Sequence, residues 1–522
     1  KCANKYTLNI TLQFMQFSNL HIFSHKTNPG VPVYLARFAR CCNFLRKSTT
    51  IEDSKLWRYS KLSPNANSTM AASGVCFSRS CILILSIIFL NVDCFRKDLF
   101  STKTSYHWIY DLDQHVAQDE YMKTEISGQS CRAIYTSALI RHGARYPSLK
   151  DIRSMSELHR KLLRYKVDKN LNFLTNWKNP YPEAEEKGLV KLGEVEQYQL
   201  GLRIRRKLFS LFENNIGNVR FVSSSTSRTK NSLQAFYKGF NGNVDEANNV
   251  QHGIDDEILR FHTKCKRFLE SVENNKTHIK EYRKFKSESH AVNLAAAVAK
   301  RLEVNDLNIT TGDLKLLYFL CPFEIIISNK EDWCHILTDE EKEIMEYHYD
   351  LKQYWKKAYG HSVIPQMACP MVKKLFSHFD NAIKNQKQEE RDPSVGSFFF
   401  GHVETLAPVY AALGLFNDTV PLLAKNFEQQ RNRLFKASHI LPFSANIVLI
   451  LYDCHSNNDA GGDNRFALKL YVNEKVKKFP GCQEDTCWYN EVRERVSSHV
   501  DDCEFDRYCG MTEHAHKAHE EL

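Results

Sequence analysis

The chain has 522 residues, 43% hydrophobic and 25% charged, with a formal net charge of +10. That length and apolar content exclude a disordered or fibrous polypeptide and call for a large core. The charge does not argue for a nucleic-acid partner, because residues 1–69 hold ten Lys/Arg against two Asp/Glu and so carry eight of the ten net charges.

In chain order, residues 1–69 are expected to be a non-native or disordered extension. Met70 then opens a stretch with Arg79, the apolar run 81–90 and Asn91-Val92-Asp93-Cys94. A basic residue before about ten apolar ones predicts a secretory signal peptide over 70–93, too short for a stable membrane anchor. Residues 133–140 read as a strand running into Arg141-His142-Gly143-Ala144-Arg145-Tyr146-Pro147. A second strand, 219–223, precedes Ser224-Ser225-Thr226-Ser227-Arg228 and a helix over 230–237. A third, 398–400, precedes Gly401-His402-Val403-Glu404 and an amphipathic helix over 405–415, and 445–452 is a fourth, nearly continuous apolar strand.

Between these lie 150–215 and 245–370, rich in Lys, Glu, Asn and aromatic residues at helical spacing. Phe319, Trp333, Tyr347 and Trp355 read there as core rather than as a ligand platform. The expected fold is α/β: a mixed, mostly parallel sheet flanked by helices, with an inserted, largely helical cap domain. The sheet domain is assigned 95–155, 216–244 and 371–518, and the cap 156–215 and 245–370.

Ten cysteines lie from Cys131 onward without the paired spacing of a zinc site, so disulfides are expected. Cys482 and Cys487 enclose a short loop and Cys321 and Cys334 a longer one; Cys131 and Cys454 each lie beside a predicted strand and could join neighbours. Asn275, Asn308 and Asn417 stand in glycosylation triplets. The tail at 519–522, His519-Glu520-Glu521-Leu522, is similar to endoplasmic-reticulum retrieval signals, making that lumen the expected compartment and secretion the alternative.

The three strand ends supply complementary chemistry. Arg141, Arg145 and Arg228 can hold phosphate oxygens with fixed charge. His142 between two arginines is a candidate nucleophile toward phosphorus. His402 can donate a further hydrogen bond to the same phosphoryl group, and Glu404 is a candidate general acid for the leaving alkoxide. A capping pair is the bland alternative for His402 and Glu404, since an acid in a first helical turn is favourable anyway. Lys150, Arg153, Lys191 and Lys230 are near the motifs and are guesses for an outer ring of cations.

This set resembles the histidine acid phosphatase branch of the histidine phosphatase superfamily over nearly all of 130–510. The Arg-His-Gly-x-Arg-x-Pro heptapeptide at 141–147 carries most of the likeness, with Gly193 to Gln197 and Ser224 to Arg228 as supporting segments. Many members have His-Asp at the proton-donor site. His402-Val403-Glu404 instead resembles the His-Ala-Glu variant of the multiple inositol polyphosphate phosphatase group, with Val403 departing from alanine beside the acid. The resemblance implies stepwise removal of phosphates from inositol hexakisphosphate and its lower homologues, with 2,3-bisphosphoglycerate as a further substrate, and no metal or other cofactor. The expected partner is a small phosphorylated molecule; oligomeric state is not specified. A broad-specificity acid phosphatase, secreted or lysosomal, and a non-catalytic lumenal phosphate-binding protein stay open as alternatives.

Overall fold

The computed structural model describes residues 96–110, 116–164, 172–242, 252–304, 307–387, 392–454 and 465–511. The expected extension, signal segment and retrieval-like tail (1–69, 70–93 and 519–522) lie outside them. Among the described residues no helix is long and apolar enough to cross a membrane.

Among the described residues nine strands form one sheet: β1 (Lys123–Ile126), β2 (Gln129–Arg141), β3 (Val219–Ser223), β4 (Gly253–Ile254), β5 (Gly396–Gly401), β6 (Asn446–Cys454), β7 (Phe466–Val472), β8 (Lys475–Val476) and β9 (Thr486–Trp488). Their order is β4-β3-β5-β2-β6-β7-β8, with β1 added to β2 and β9 to β7. The sheet is mixed, as expected, but it is not mostly parallel. Parallel pairing is confined to β4, β3, β5 and β2, while β6 to β9 and β1 pair antiparallel. β1 and β2, and β7 and β8, are joined by two-residue turns, which permit only antiparallel neighbours.

Side chains of the central strands alternate between two apolar faces. Phe398 and Phe400 of β5 join Ala138 and Ile140 of β2 and Val448 and Ile450 of β6 on one side. Phe399, Leu139, Ile447 and Leu449 point to the other. Both faces are covered, so these strands read as continuous apolar runs rather than as alternating ones. Each fully buried phenyl contributes about 2 kcal/mol by burial alone.

Eight longer helices matter for the site: α1 (Leu149–Leu163), α2 (Lys191–Lys207), α3 (Ser227–Asn241), α4 (Ser289–Arg301), α5 (Thr311–Ser328), α6 (Asp339–Lys357), α7 (Cys369–Gln386) and α8 (Val403–Ala412). α2 and α3 cover one sheet face through Leu200, Ile204, Leu233 and Phe236. α7 and α8 cover the other through Leu375, Phe379, Leu406 and Val409. A separate core of α1, α4, α5 and part of α6 contains Phe319 and Trp333 and lies mostly within the segments assigned to the cap. The first cap segment ends earlier than the expected boundary at 215: Leu200, Ile204, Leu208, Leu211 and Phe212 pack on the sheet, because their apolar stripe faces Phe398 rather than the cap. α6 serves both cores. Met345 and Tyr349 enter the cap, while Tyr347, Leu351 and Tyr354 face the sheet side.

Among the described residues five disulfides join Cys131–Cys454, Cys265–Cys509, Cys321–Cys334, Cys369–Cys503 and Cys482–Cys487. Cys131 and Cys454 are cross-strand partners in β2 and β6, 323 residues apart in sequence. Closing so long a loop restricts the unfolded chain, so the double variant Cys131→Ser, Cys454→Ser is expected to lose about 2–5 kcal/mol of stability. Denaturant unfolding checks this; an unchanged midpoint would mean the bond adds nothing to the nine-stranded sheet. Asn308 and Asn417 are exposed and Asn275 is half-buried, its Oδ1 accepting from Thr277.

Candidate active site

Three parallel strands end at one level. The register pairs Arg141 of β2 with Gly401 of β5, and Phe400 of β5 with Ser223 of β3. The residues that follow therefore emerge side by side: His142, His402 and Ser224. Carboxyl ends of parallel strands are where an open α/β sheet presents chemistry.

The Arg-His-Gly turn is locked from behind. A methyl on Gly143 would lie 2.4 Å from the carbonyl oxygen of Gly193, and one on Gly193 would lie 2.2 Å from that of Ala144. The two backbones touch, which only glycine at both points permits. One helical turn after Gly193, Gln197 donates from Nε2 to the Arg141 carbonyl at 2.9 Å and to Ser444 Oγ at 3.0 Å. The Gly-x-x-x-Gln spacing puts both residues on one face of α2.

Arg141 is fixed along its length. Nη1 donates to the carbonyls of Thr102 and Leu441 at 2.9 and 2.8 Å, and the guanidinium lies 4.5 Å from the centre of the Phe443 ring. Arg145 donates to the Tyr146 carbonyl at 2.6 Å. Arg228, in the first turn of α3, donates to Nδ1 of His402 at 3.2 Å. The buried Nε–H of each guanidinium has no partner among the described residues. Burial, then repulsion by Arg145, pulls Arg141 down to about 9, and burial with repulsion by Arg228 pulls Arg145 to about 10. All three stay charged near neutrality, and such a set is relieved by a bound oxyanion.

His142 is buried beside them. Its Nδ1 is 2.9 Å from the Gly143 carbonyl, which can only accept, so Nδ1 carries the proton and Nε2 keeps its lone pair. Burial first, then the charges of Arg141 and Arg228, hold the imidazole well below its ordinary range, so the ring is neutral. A neutral imidazole with one free lone pair among three guanidiniums can attack phosphorus.

His402 departs from the sequence expectation. Arginine only donates, so Nδ1 of His402 accepts from Arg228, and Nε2–H donates to Ser224 Oγ at 2.9 Å. Both ring nitrogens are engaged, and the ring acts here by orienting Arg228 and packing 5.6 Å from the His142 ring. Helix capping is a reciprocal pair, the His402 side chain with the Thr405 backbone and Thr405 Oγ1 accepting from the His402 amide at 3.2 Å. That leaves Glu404 free of the capping role. Val403 does not narrow the cleft, because it is buried in the apolar core under α8.

Glu404 points outward from the first turn of α8, its side chain 42% exposed, and accepts from Lys357 Nζ at 2.7 Å. Burial pushes the carboxyl up, but the Lys357 ammonium and His262 outweigh it and hold the group well below the usual carboxylate range. Lys357 is the last residue of α6 and has no motif signal. Nor have Lys103, whose ammonium lies 5.7 Å from the Phe443 ring centre, or His262, whose buried Nδ1 is unpaired among the described residues. Burial, then Arg145 and Arg141, holds Lys103 well below its ordinary value. Two of the expected outer cations are engaged at the surface: Arg153 pairs with Glu183 at 2.8 Å and Lys191 with Glu194 at 3.0 Å, both pairs exposed to solvent. Among the described residues no three His, Cys, Asp or Glu side chains converge in a metal-holding arrangement.

Comparison with known proteins gives the same direction. Residues 135–473 match the family model of the histidine phosphatase superfamily (branch 2). The chain is 29% identical over 435 residues to multiple inositol polyphosphate phosphatase 1 of Homo sapiens, covering 79% of this chain and 88% of that one. It is 27% identical over 421 residues to the Gallus gallus protein of the same name, covering 79% and 92%. Among solved structures, the multiple inositol polyphosphate phosphatase of Bifidobacterium longum in complex with inositol hexasulfate superposes with a TM-score of 0.60 at 16% identity, covering 78% of this chain and 98% of that one. The phytase from D. castellii gives 0.61 at 18%, covering 79% and 87%. At such identities these two establish a shared fold.

Proposed function

Because the chain belongs to branch 2 of the histidine phosphatase superfamily, we propose that it is a phosphomonoesterase removing phosphates stepwise from inositol hexakisphosphate and lower inositol polyphosphates. The observation that carries the reading is His142: neutral, with Nε2 unprotonated, amid three buried guanidiniums. The names of the relatives support the substrate class, and 2,3-bisphosphoglycerate is a further substrate to assay.

The reaction has two displacements. Arg141, Arg145 and Arg228 hold the non-bridging oxygens, with His402 setting the direction of Arg228. Nε2 of His142 attacks phosphorus, the ester P–O bond breaks, and the departing alkoxide takes a proton from Glu404. Water then attacks the phosphohistidine, the N–P bond breaks, and the carboxylate of Glu404 receives the water proton. Inorganic phosphate leaves and the enzyme is regenerated. The C-terminal end of α6 brings Lys357 to Glu404, so the helix that carries it can bear on which esters fit.

The acid assignment has a direct test. Glu404→Gln is expected to slow inositol hexakisphosphate by about 10²–10⁴-fold while sparing 4-nitrophenyl phosphate, whose leaving group needs no proton. Equal losses on both esters would remove Glu404 from the acid role. Phosphate release from inositol hexakisphosphate itself tests the substrate class. Release from small esters alone would favour a general acid phosphatase. The five disulfides support an oxidising compartment, and the endoplasmic-reticulum lumen is the one we propose.

A further inference from the structure

The ion pair between Lys357 and Glu404 poses a chemical problem. A general acid must carry a proton, yet Glu404 is the partner of an ammonium 2.7 Å away. Near a monophosphate ester of a simple alcohol, that pair would persist and the departing alkoxide would find a carboxylate instead of an acid. The pair is also poorly suited to stability. Glu404 is 42% exposed and Lys357 16%, so solvent screens the carboxylate end of the pair. Its position points to substrate handling.

Lys357 belongs to a crowd of cations. Its charge depresses Lys103 and Lys352, and Lys352, pulled down first by burial and then by Lys357, lies at about 8. A second phosphate held by Lys357 and by Lys103, whose ammonium shares the Phe443 ring with Arg141 at 5.7 and 4.5 Å from its centre, would relieve that repulsion and compete with Glu404 for the Lys357 ammonium. A dianionic phosphate is the stronger competitor, since it offers three oxygens and up to two charges against one carboxylate. Lysine suits such an exchange, because its ammonium sits on a flexible four-carbon stem and fits many geometries.

We propose that Lys357 is a specificity-determining positioning residue: it clamps Glu404 in the free enzyme and transfers its grip to a second phosphate when a polyphosphorylated substrate arrives. The idea rests on the assignment of Glu404 as the acid. Once released, Glu404 faces His262, His402, Arg141, Arg145 and Arg228 from the surrounding elements, together with the new phosphate charge. The phosphate negative charge favours protonation of the carboxyl, with the proton drawn from solvent. Glu404 then gives that proton to the ester oxygen as the P–O bond breaks. The acid thus becomes available when more than one phosphate is bound, which selects polyphosphates over simple esters by rate as well as by binding.

The test compares pH profiles of kcat/KM for the full chain and for Lys357→Met and Lys357→Arg, on inositol hexakisphosphate, glycerol 2-phosphate and 4-nitrophenyl phosphate. For Lys357→Met, the limb set by Glu404 should move up by about one pH unit on glycerol 2-phosphate. Turnover of that ester near pH 6 should rise about threefold or more, while inositol hexakisphosphate falls about tenfold and 4-nitrophenyl phosphate stays near parental. Lys357→Arg keeps the charge and should restore the parental limb and most of the hexakisphosphate activity. Equal losses on all three esters, or a loss on the hexakisphosphate with an unmoved limb, would overturn the clamp. Lys357→Gln repeats the comparison if methionine does not fold. A parent active on small esters and silent on inositol hexakisphosphate would overturn the substrate reading and the clamp together. A parent active on both, with the limb unmoved in the variants, overturns the clamp alone.

Discussion

Replacing His142 by alanine is expected to reduce turnover of every phosphate ester by about 10⁴-fold or more, because no other group takes over a lost covalent nucleophile. The loss should not come from unfolding. The His142 amide donates to the Gly401 carbonyl at 3.1 Å and its carbonyl accepts from the Ser444 amide at 3.1 Å, and both bonds survive in alanine. The parent quenched during turnover should yield an acid-labile phosphoenzyme that His142→Ala does not form. An alanine variant retaining more than about a hundredth of parental activity would mean that water attacks the ester directly.

The second large effect is expected at Gly193, a residue that touches no substrate. Glycine to alanine inside a helix ordinarily stabilises by about 1 kcal/mol. Here the added methyl would lie 2.2 Å from the carbonyl oxygen and 2.6 Å from the amide nitrogen of Ala144, both backbone atoms. Neither can rotate aside. The turn carrying His142 has to move away from α2, and Gln197 loses its grip on the Arg141 carbonyl. A displacement of about 1 Å at a reacting centre costs about 10²-fold in rate, and overpacking costs about 1–3 kcal/mol. Gly193→Ala should therefore lower both kcat and the melting temperature. Parental values of the two would mean that the backbones have slack.

The parts of the site that are local in sequence were readable. The Arg-His-Gly turn, Arg228 and the His402–Glu404 segment each follow a short apolar strand, and strand, turn and side chain together span about ten residues. The apolar runs also marked β2, β3, β5 and β6, since a strand covered on both faces has no polar side to break the run. What escaped was assembled by tertiary packing. Lys357 ends a helix 47 residues before Glu404 in sequence and meets it because α6 is packed on two cores. Lys103 and His262 stand in single 3₁₀ turns without a motif. The early end of the first cap segment depends on which core Leu200 and Ile204 meet. Cys265–Cys509 and Cys369–Cys503 depend on the path of the chain after β9, which spacing does not encode.

The double allegiance of α6 has an evolutionary reading. The groups we propose for holding a single phosphoryl unit, Arg141, His142, Arg145 and Arg228, stand at or just beyond the carboxyl ends of β2 and β3, with His402 after β5 orienting Arg228. The ammonium beside the leaving group comes from a helix whose other face is anchored in the cap by Met345 and Tyr349. Substitutions that reshape the cap can slide or tilt the end of α6 and so change the company kept by Glu404, while the catalytic turn stays as it is. On the proposed reading, new ester preferences are reachable through small steps in that helical layer that leave the catalytic turn in place.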